Sequence, residues 1–470
     1  MAGELNALGL AEVAAKIRTR DASCAEVLDA VIARAKAVQP KLNAFLRIDE
    51  ELAREQAKLY DAEAAQRRYR GPLHGVPLAH KDMYYRAGVP SSCGSRIKGK
   101  EPEKTTATAL KRLDAAGAIQ FGVLNMAEFA YGPTGHNWHF GHVRNPWNTA
   151  HITGGSSSGS GAAVGARATY AALGSDTGAS IRLPAALCGV TGLKVTYGRI
   201  SRAGAMPLSF SMDTIGPLAR SAADCAVLLA AMAGPDPADP TASSEAVPDY
   251  AARLNLPVKG LRVGVPLNYF TEDVDAGVGA ALTESLKAIE SLGCEIVPVT
   301  LPEMAAADVA GAHLIAAEAA AYHGEWMRTR PQDYSPQVRA RLERGLALPA
   351  ARYIDALRFR GPALEAFTKA VFAKVDVLHA PCLPIPTPTI AETDIGGSPA
   401  IDRTLMLLTK FMRPFNYLGL PSLALPCGFL ANGLPVGMQI VGRPFAEDLI
   451  LRVGHAFQRA TEWHRREPSV

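Results

Sequence analysis

The chain has 470 residues, 48% hydrophobic and 20% charged, which is ample for a large core and ordinary for a globular protein. Its net charge, 49 − 45 = +4, is small and scattered, which excludes the concentrated basic footprint of a direct nucleic-acid binder. No uninterrupted apolar run approaches a membrane span (Glu318 interrupts the alanine-rich stretch around 319), and the first residues lack a secretory signal pattern, so a cytoplasmic protein without a membrane partner is expected.

Ser23-Cys-Ala-Glu26 is a capping box, in which the Ser23 hydroxyl accepts the third helical N–H and Glu26 reaches back. It predicts a helix that buries Val27, Leu28, Val31, Ile32 and Ala35 and ends at Pro40. Asn43 to Arg47 reads as a strand and a charged, alanine-rich helix follows to about Arg67, making residues 1–70 mainly helical. Gly75 to Asp82 reads as strand then loop, Thr106 to Ala116 as helix, and Ile119 to Leu124 as strand. From Glu128 to His151 the chain is aromatic and irregular, with Phe129, Tyr131, Trp138, Phe140 and Trp147. Four of the eleven histidines (136, 139, 142 and 151) fall there, but their spacing is not that of a helix face. Loop and pocket lining is preferred to a metal site, and no metal or cofactor is expected.

Gly154 to Pro184 holds two glycine–serine clusters separated by a short helix of small residues. Glycine suits strained or closely approached backbone. A serine beside such a turn can be presented as a nucleophile, and free N–H groups nearby can hold an oxyanion. Ser221 to Ala233 is an amphipathic helix, and Gly234-Pro-Asp-Pro-Ala-Asp-Pro240 has the strongest linker composition, opening an excursion over about 235–256. Leu261–Val265, Val278–Leu292 and Glu295–Val299 read as strand, helix and strand, a parallel pair within an α/β architecture. Residues 302–373 look mainly helical, Val375–Ala380 returns to strand, and Cys382–Thr404 is proline-rich and loop-like. Ser422–Leu425 and Val436–Val441 read as late strands and Glu447–Thr461 as a last helix. The seven cysteines are dispersed and without metal spacing, so reduced, buried thiols are expected.

Three sets of residues together carry a resemblance. They are Gly75-Val-Pro-Leu-Ala-His-Lys81-Asp82, Gly154-Gly-Ser-Ser-Ser-Gly-Ser160 and Gly174-Ser-Asp-Thr-Gly-Ala-Ser-Ile-Arg-Leu-Pro184. Asp213-Thr-Ile-Gly-Pro217, Phe415-Asn-Tyr-Leu-Gly-Leu-Pro421 and Gly433-Leu-Pro-Val-Gly-Met-Gln439 extend it downstream. This pattern resembles the amidase signature family of serine hydrolases over nearly the whole chain. The resemblance implies one α/β domain over 1–470, with a mixed, mostly parallel β-sheet wrapped by helices and 235–256 as an excursion from it.

It also implies a Ser–cis-Ser–Lys triad, with Ser180 as nucleophile, Ser156 as bridge and Lys81 as base. The separation 180 − 156 = 24 matches the family's two motif serines, whereas the residues alone leave Ser156, Ser157 and Ser158 equivalent. The oxyanion hole would be the N–H groups of Thr177, Gly178, Ala179 and Ser180. Ala179 stands where glycine is usual, as in indoleacetamide hydrolases, and adds a methyl beside the nucleophile. Asp176 and Arg182 are expected to brace the loop, and Phe129, Tyr131 and Gly155 are candidate substrate contacts.

The chemistry is coherent in its own terms. A serine hydroxyl needs a base to take its proton, and lysine is that base only when burial or neighbouring cations keep it neutral. Val76-Pro-Leu-Ala is an apolar run able to carry Lys81 inward, and a serine that both donates and accepts can relay the proton. The same relay returns a proton to the leaving amine. Taken singly, each residue has a plainer reading: Lys81 as a surface lysine, Ser156–Ser158 as helix caps, the aromatic stretch as core.

Gly155-Ser-Ser-Ser-Gly159 also fits a nucleophile elbow around Ser157, with Asp448 and His455 in the right order. That motif needs a strand before the serine, and Asn145 to His151 reads as a loop. No Gly-Lys-Ser/Thr closes a phosphate loop. The expected substrate is a small apolar or aryl amide, cleaved by a monomer or homodimer. Aryl esters or carbamates are a further alternative on the same triad. The other alternative is the glutamine-hydrolysing subunit of a tRNA-dependent amidotransferase, whose partner subunits bind tRNA. That subunit usually has an acidic residue before Pro-x-Asn, and Leu407–Pro414 has none.

Overall fold

Helix Cys24–Leu42 begins where its capping box places it, with Ser23 accepting from the Glu26 N–H. It passes through Pro40 rather than ending there and stops at Asn43, whose left-handed backbone turns the chain and whose N–H donates to the Gln39 carbonyl. A proline in the last turn forfeits one helical bond without ending the helix. The computed structural model describes residues 2–395, 398 and 401–470. Part of the proline-rich stretch read as loop, at 396, 397, 399 and 400, lies outside the described residues. Either side of them, helices Ile390–Thr393 and Ile401–Thr409 replace the expected loop.

Eleven strands form one sheet: β1 Phe45–Ile48, β2 Pro77–Lys81, β3 Ile119–Leu124, β4 Ala171–Asp176, β5 Thr191–Lys194, β6 Thr214–Ala219, β7 Arg262–Pro266, β8 Glu295–Val299, β9 Val377–Pro381, β10 Ser422–Phe429 and β11 Pro435–Val441. Their order is β1-β3-β2-β4-β6-β5-β10-β11-β9-β7-β8. The α/β class and the mixed sheet agree with the sequence reading, but the balance of directions does not. Among the described strands six pairings are antiparallel and four parallel. Short connections produce the difference, as where the Leu430–Leu434 turn folds β10 directly onto β11. The parallel pair β7–β8 has helix Ala276–Ser291 between its strands, as the spacing required.

Strands β4, β5 and β6 had no clear sequence signal. Their residues, such as Ala-Ala-Leu-Gly-Ser-Asp in β4, are buried throughout, so no alternation marks a wet face. Helix Met304–Thr329 is long and apolar enough to cross a membrane by composition alone, contrary to the sequence expectation. Here, however, it packs within the fold, with Leu314 and Ala319 fully buried and its Glu318 accepting from Ser209 and Ser211. All seven cysteines are buried and unpaired.

Two parallel neighbours, β2 and β4, set up the centre of the molecule. They pair at Ala79↔Ala172 and His80↔Leu173 and no further, so the ladder opens at the C-terminal end of β2. Beyond the split the Ser175 N–H and carbonyl bond to Ser157 Oγ instead, while the carbonyls of Leu173 and Gly174 also accept from the hydroxyls of Ser160 and Tyr84. Open α/β sheets place ligands at such carboxyl ends.

Candidate active site

Lys81 is the last residue of β2 and is completely buried. Its Nζ lies 2.7 Å from Ser156 Oγ and 2.9 Å from Ser175 Oγ. Burial pulls its pKa down from 10.5 to about 7, against the pull of the Asp213 and Asp176 carboxylates. A large share of the amine is therefore neutral near neutral pH, as a base requires. His80 is not a rival base: its ring Nδ1 contacts Gln120 Oε1 at 3.3 Å, and strand alternation sends it to the opposite face.

Ser156 is held from both sides. The Gly155–Ser156 peptide is cis, and the Ser156 carbonyl accepts from the Ala127 N–H at 3.1 Å. Gly155 is packed so closely against the Gly132 carbonyl and the Gly135 N–H that a methyl there would collide with backbone. This packing explains why glycine stands there. The three adjacent serines are no longer equivalent. Ser157 makes its bonds at 3.3 Å to the Ser175 backbone, and Ser158 Oγ has no partner among the described residues. Neither Ser157 nor any other side chain caps helix Ser158–Gly165.

Ser180 stands in the turn between β4 and helix Arg182–Cys188 and is the most open of the three predicted residues, at 9%. Among the described residues no hydrogen bond joins its hydroxyl to Ser156 or Lys81. The structure thus links Lys81 and Ser156 directly and leaves Ser180 unlinked at the open end. The backbone N–H groups of Gly178, Ala179 and Ser180 donate to no protein acceptor among the described residues. Ala179 lies outside the left-handed region, so its methyl costs the turn nothing.

The turn is clamped at both ends. Thr177 Oγ1 donates to the Asp213 carboxylate, which also accepts the Leu208 and Ser209 N–H groups. Asp176 Oδ2 accepts the N–H groups of Ile181 and Arg182, each at 3.2 Å. Burial works to raise the Asp176 pKa, but the Arg182 guanidinium outweighs it and holds the carboxyl below its ordinary value. Sequence reasoning anticipated these two as braces but missed Ser175, Asp213, Asn416 and Gln439. Asp213, Asn416 and Gln439 sat in the downstream landmarks, and only the fold shows what they touch.

The aromatic residues expected at the substrate are core residues. Phe129 is fully buried against His323, Trp326 and Tyr334, with centroids 4.6, 5.5 and 5.8 Å away. Tyr131 is 3% exposed and lies under the Arg341 guanidinium. The stretch was buried because helix Met304–Thr329 packs on it, a contact invisible in the local pattern. The nearby histidines are taken up in side-chain contacts, His139 with Glu128 and His136 with Thr393. Asp448 pairs with Arg253 and His455 contacts Asn255, so neither attends Ser157.

Next to the turn, a side chain on Gly178 would meet Ile315 and the stem of Arg413. Arg413 donates from Nη2 to Asp308 Oδ2 at 2.7 Å and from Nη1 to Thr409 Oγ1 at 3.1 Å. Helix Met304–Thr329 thus brings one carboxylate, Asp308, against Arg413, where the two form an ion pair.

The family model described as Amidase matches residues 26–451. A glutamyl-tRNA(Gln) amidotransferase subunit of Roseiflexus sp. (strain RS-1) is 40% identical over 488 residues, covering 99% of both chains. A solved structure described as a vestigial protein complex that reveals the evolutionary origins of an s-triazine catabolic enzyme is 36% identical. It superposes with a TM-score of 0.90 over 97% of this chain and 99% of that one. 6-Aminohexanoate cyclic dimer hydrolase in complex with substrate is 28% identical, with a TM-score of 0.89 and 99% coverage of both chains.

Proposed function

The chain belongs to the amidase family, and we propose that it hydrolyses a carboxylic amide through an acyl-enzyme on Ser180, with Ser156 as proton bridge and Lys81 as base. The observation that carries this is the buried lysine with its amine 2.7 Å from Ser156 Oγ. Neutral Lys81 takes the Ser156 proton as Ser156 takes that of Ser180, whose Oγ attacks the amide carbonyl. The developing oxyanion meets the free N–H groups of the turn from Thr177 to Ser180, where one such donor is worth about 2.7–4 kcal/mol. The proton then returns through Ser156 to the leaving nitrogen, and water releases the acid by the reverse path.

For the amide itself, the glutamine-hydrolysing reading now has more support than the apolar or aryl one. The Roseiflexus relative, 40% identical over 99% of both chains, is named for a glutamyl-tRNA(Gln) amidotransferase. The aryl reading drew on aromatic residues that are buried in the fold, and Asp308, paired with Arg413, is an acidic group close in space to the segment before Pro414. In that reading the chain acts with partner subunits.

The test is ammonia and amine release by the purified chain offered glutamine, asparagine, an aliphatic amide, an aryl acetamide, indole-3-acetamide and an aryl carbamate. Hydrolysis confined to glutamine supports the amidotransferase reading. Turnover of aryl or aliphatic amides but not glutamine overturns it and restores the stand-alone amidase.

A further inference from the structure

We infer that Ser175 is a positioning residue that turns the lone pair of Lys81 toward Ser156. The inference rests on Lys81 being the base. A neutral lysine amine has two N–H groups and one lone pair, free to rotate about the Cε–Nζ bond. For the amine to accept the Ser156 proton, its lone pair must point along the 2.7 Å vector to Ser156 Oγ, and an N–H must point elsewhere. Ser175 Oγ, 2.9 Å from Nζ in a wholly buried contact, is the acceptor placed to take that N–H. With one N–H held on Ser175, two of the amine's three staggered arrangements around Ser156 remain, and the Ser156 proton selects the one that presents the lone pair. In a dry interior such a bond is electrostatically strong, and misplacing a reacting group is costly.

The surroundings of Ser175 are built to hold it. Its N–H donates to Ser157 Oγ and its carbonyl accepts from the same hydroxyl, both at 3.3 Å. The preceding carbonyl, Gly174, accepts from Tyr84 Oη at 2.6 Å. These bonds stand where the β2–β4 ladder has stopped, so the strand end carrying Ser175 is fixed without being paired to the strand carrying Lys81. The split gives the two side chains room to meet. Ser175 also borders a cavity of about 190 Å³, which Met83, Met206, Asp213 and Ile215 line with it.

The test needs no knowledge of the natural substrate. A fluorophosphonate probe reports the activated nucleophile: Ser180 Oγ bonds to phosphorus, fluoride leaves, and the Ser180 proton passes through Ser156 to Lys81. Labelling followed by intact mass gives a maximal rate and a half-saturating probe concentration. Ser175→Ala is expected to lower the maximal rate about 100-fold with the half-saturating concentration unchanged. Ser175→Thr, which keeps the hydroxyl, should recover to within about threefold, while the isosteric Ser175→Val should stay as slow as alanine.

Labelling of Ser175→Ala or Ser175→Val within about threefold of the unaltered chain overturns the inference, as does Ser175→Thr being as slow as Ser175→Val. If Ser175→Thr does not fold, the alanine comparison decides alone. Lys81→Met separates the two levels: labelling at the unaltered rate would remove Lys81 as base, whatever Ser175 does.

Discussion

Arg182 and Asp176 form a two-point ion pair from which solvent is wholly excluded. Nε contacts Oδ2 at 3.0 Å and Nη2 contacts Oδ1 at 3.2 Å, with neither side chain exposed. Gln439 from β11 and Asn416 complete the guanidinium's partners, so the turn bearing Ser180 is tied to strands far from it in sequence.

Breaking that pair should unfold before it inactivates. Asp176→Asn leaves a buried guanidinium uncompensated, and a loss of about 3–5 kcal/mol in urea unfolding is expected. A variant within about 1 kcal/mol of the parent would show that the pair is not what holds the turn.

The acyl-transfer rate should rise with pH through about 7, the value to which burial brings Lys81. Below it the amine is protonated and has no lone pair to offer. Above it the amine is free, so the acidic limb belongs to losing a proton from a cation. Fluorophosphonate labelling from pH 5.5 to 9 measures this limb. A rate that is flat across that range, or that falls as pH rises through 7, would contradict Lys81 as base.

A serine scan should separate three neighbours. Ser156→Ala should remove labelling of Ser180 almost completely. Ser157→Ala should cost about 1 kcal/mol of stability, because its hydroxyl serves the Ser175 backbone. Ser158→Ala should fold and label like the parent, since its buried hydroxyl has no partner among the described residues. Loss of labelling in Ser158→Ala would require a new assignment of the bridge.

Gly155→Ala should be poorly tolerated. Its methyl meets the backbone of Gly132 and Gly135 and has no flexible neighbour to push aside. Overpacking of this kind costs about 1–3 kcal/mol, read as a lowered melting temperature. A variant with the parent's melting temperature and altered substrate preference would return Gly155 to the role of substrate contact.

Much of this was legible before the structure. Capping, periodicity and turn chemistry are local, so the Ser23 cap, β3 and helix Glu447–Thr461 could be read from neighbouring residues. The signature's length identified Lys81 and Ser156, which meet across 75 positions of chain. What escaped was decided by tertiary contact. Strands β4 to β6 are buried on both faces and show no period, and Phe129 became core only when helix Met304–Thr329 packed over it. Asp308 reaches Arg413 over 105 positions, beyond any local reading.

The split between β2 and β4 changes what a run of serines signifies. Ser157 serves as a substitute rung, bonding the Ser175 N–H and carbonyl where the pairing of the two backbones has ended. A serine-dense stretch of this kind is thus partly masonry. One of its hydroxyls stands in for a missing strand partner, and another, on Ser156, meets the buried amine of Lys81.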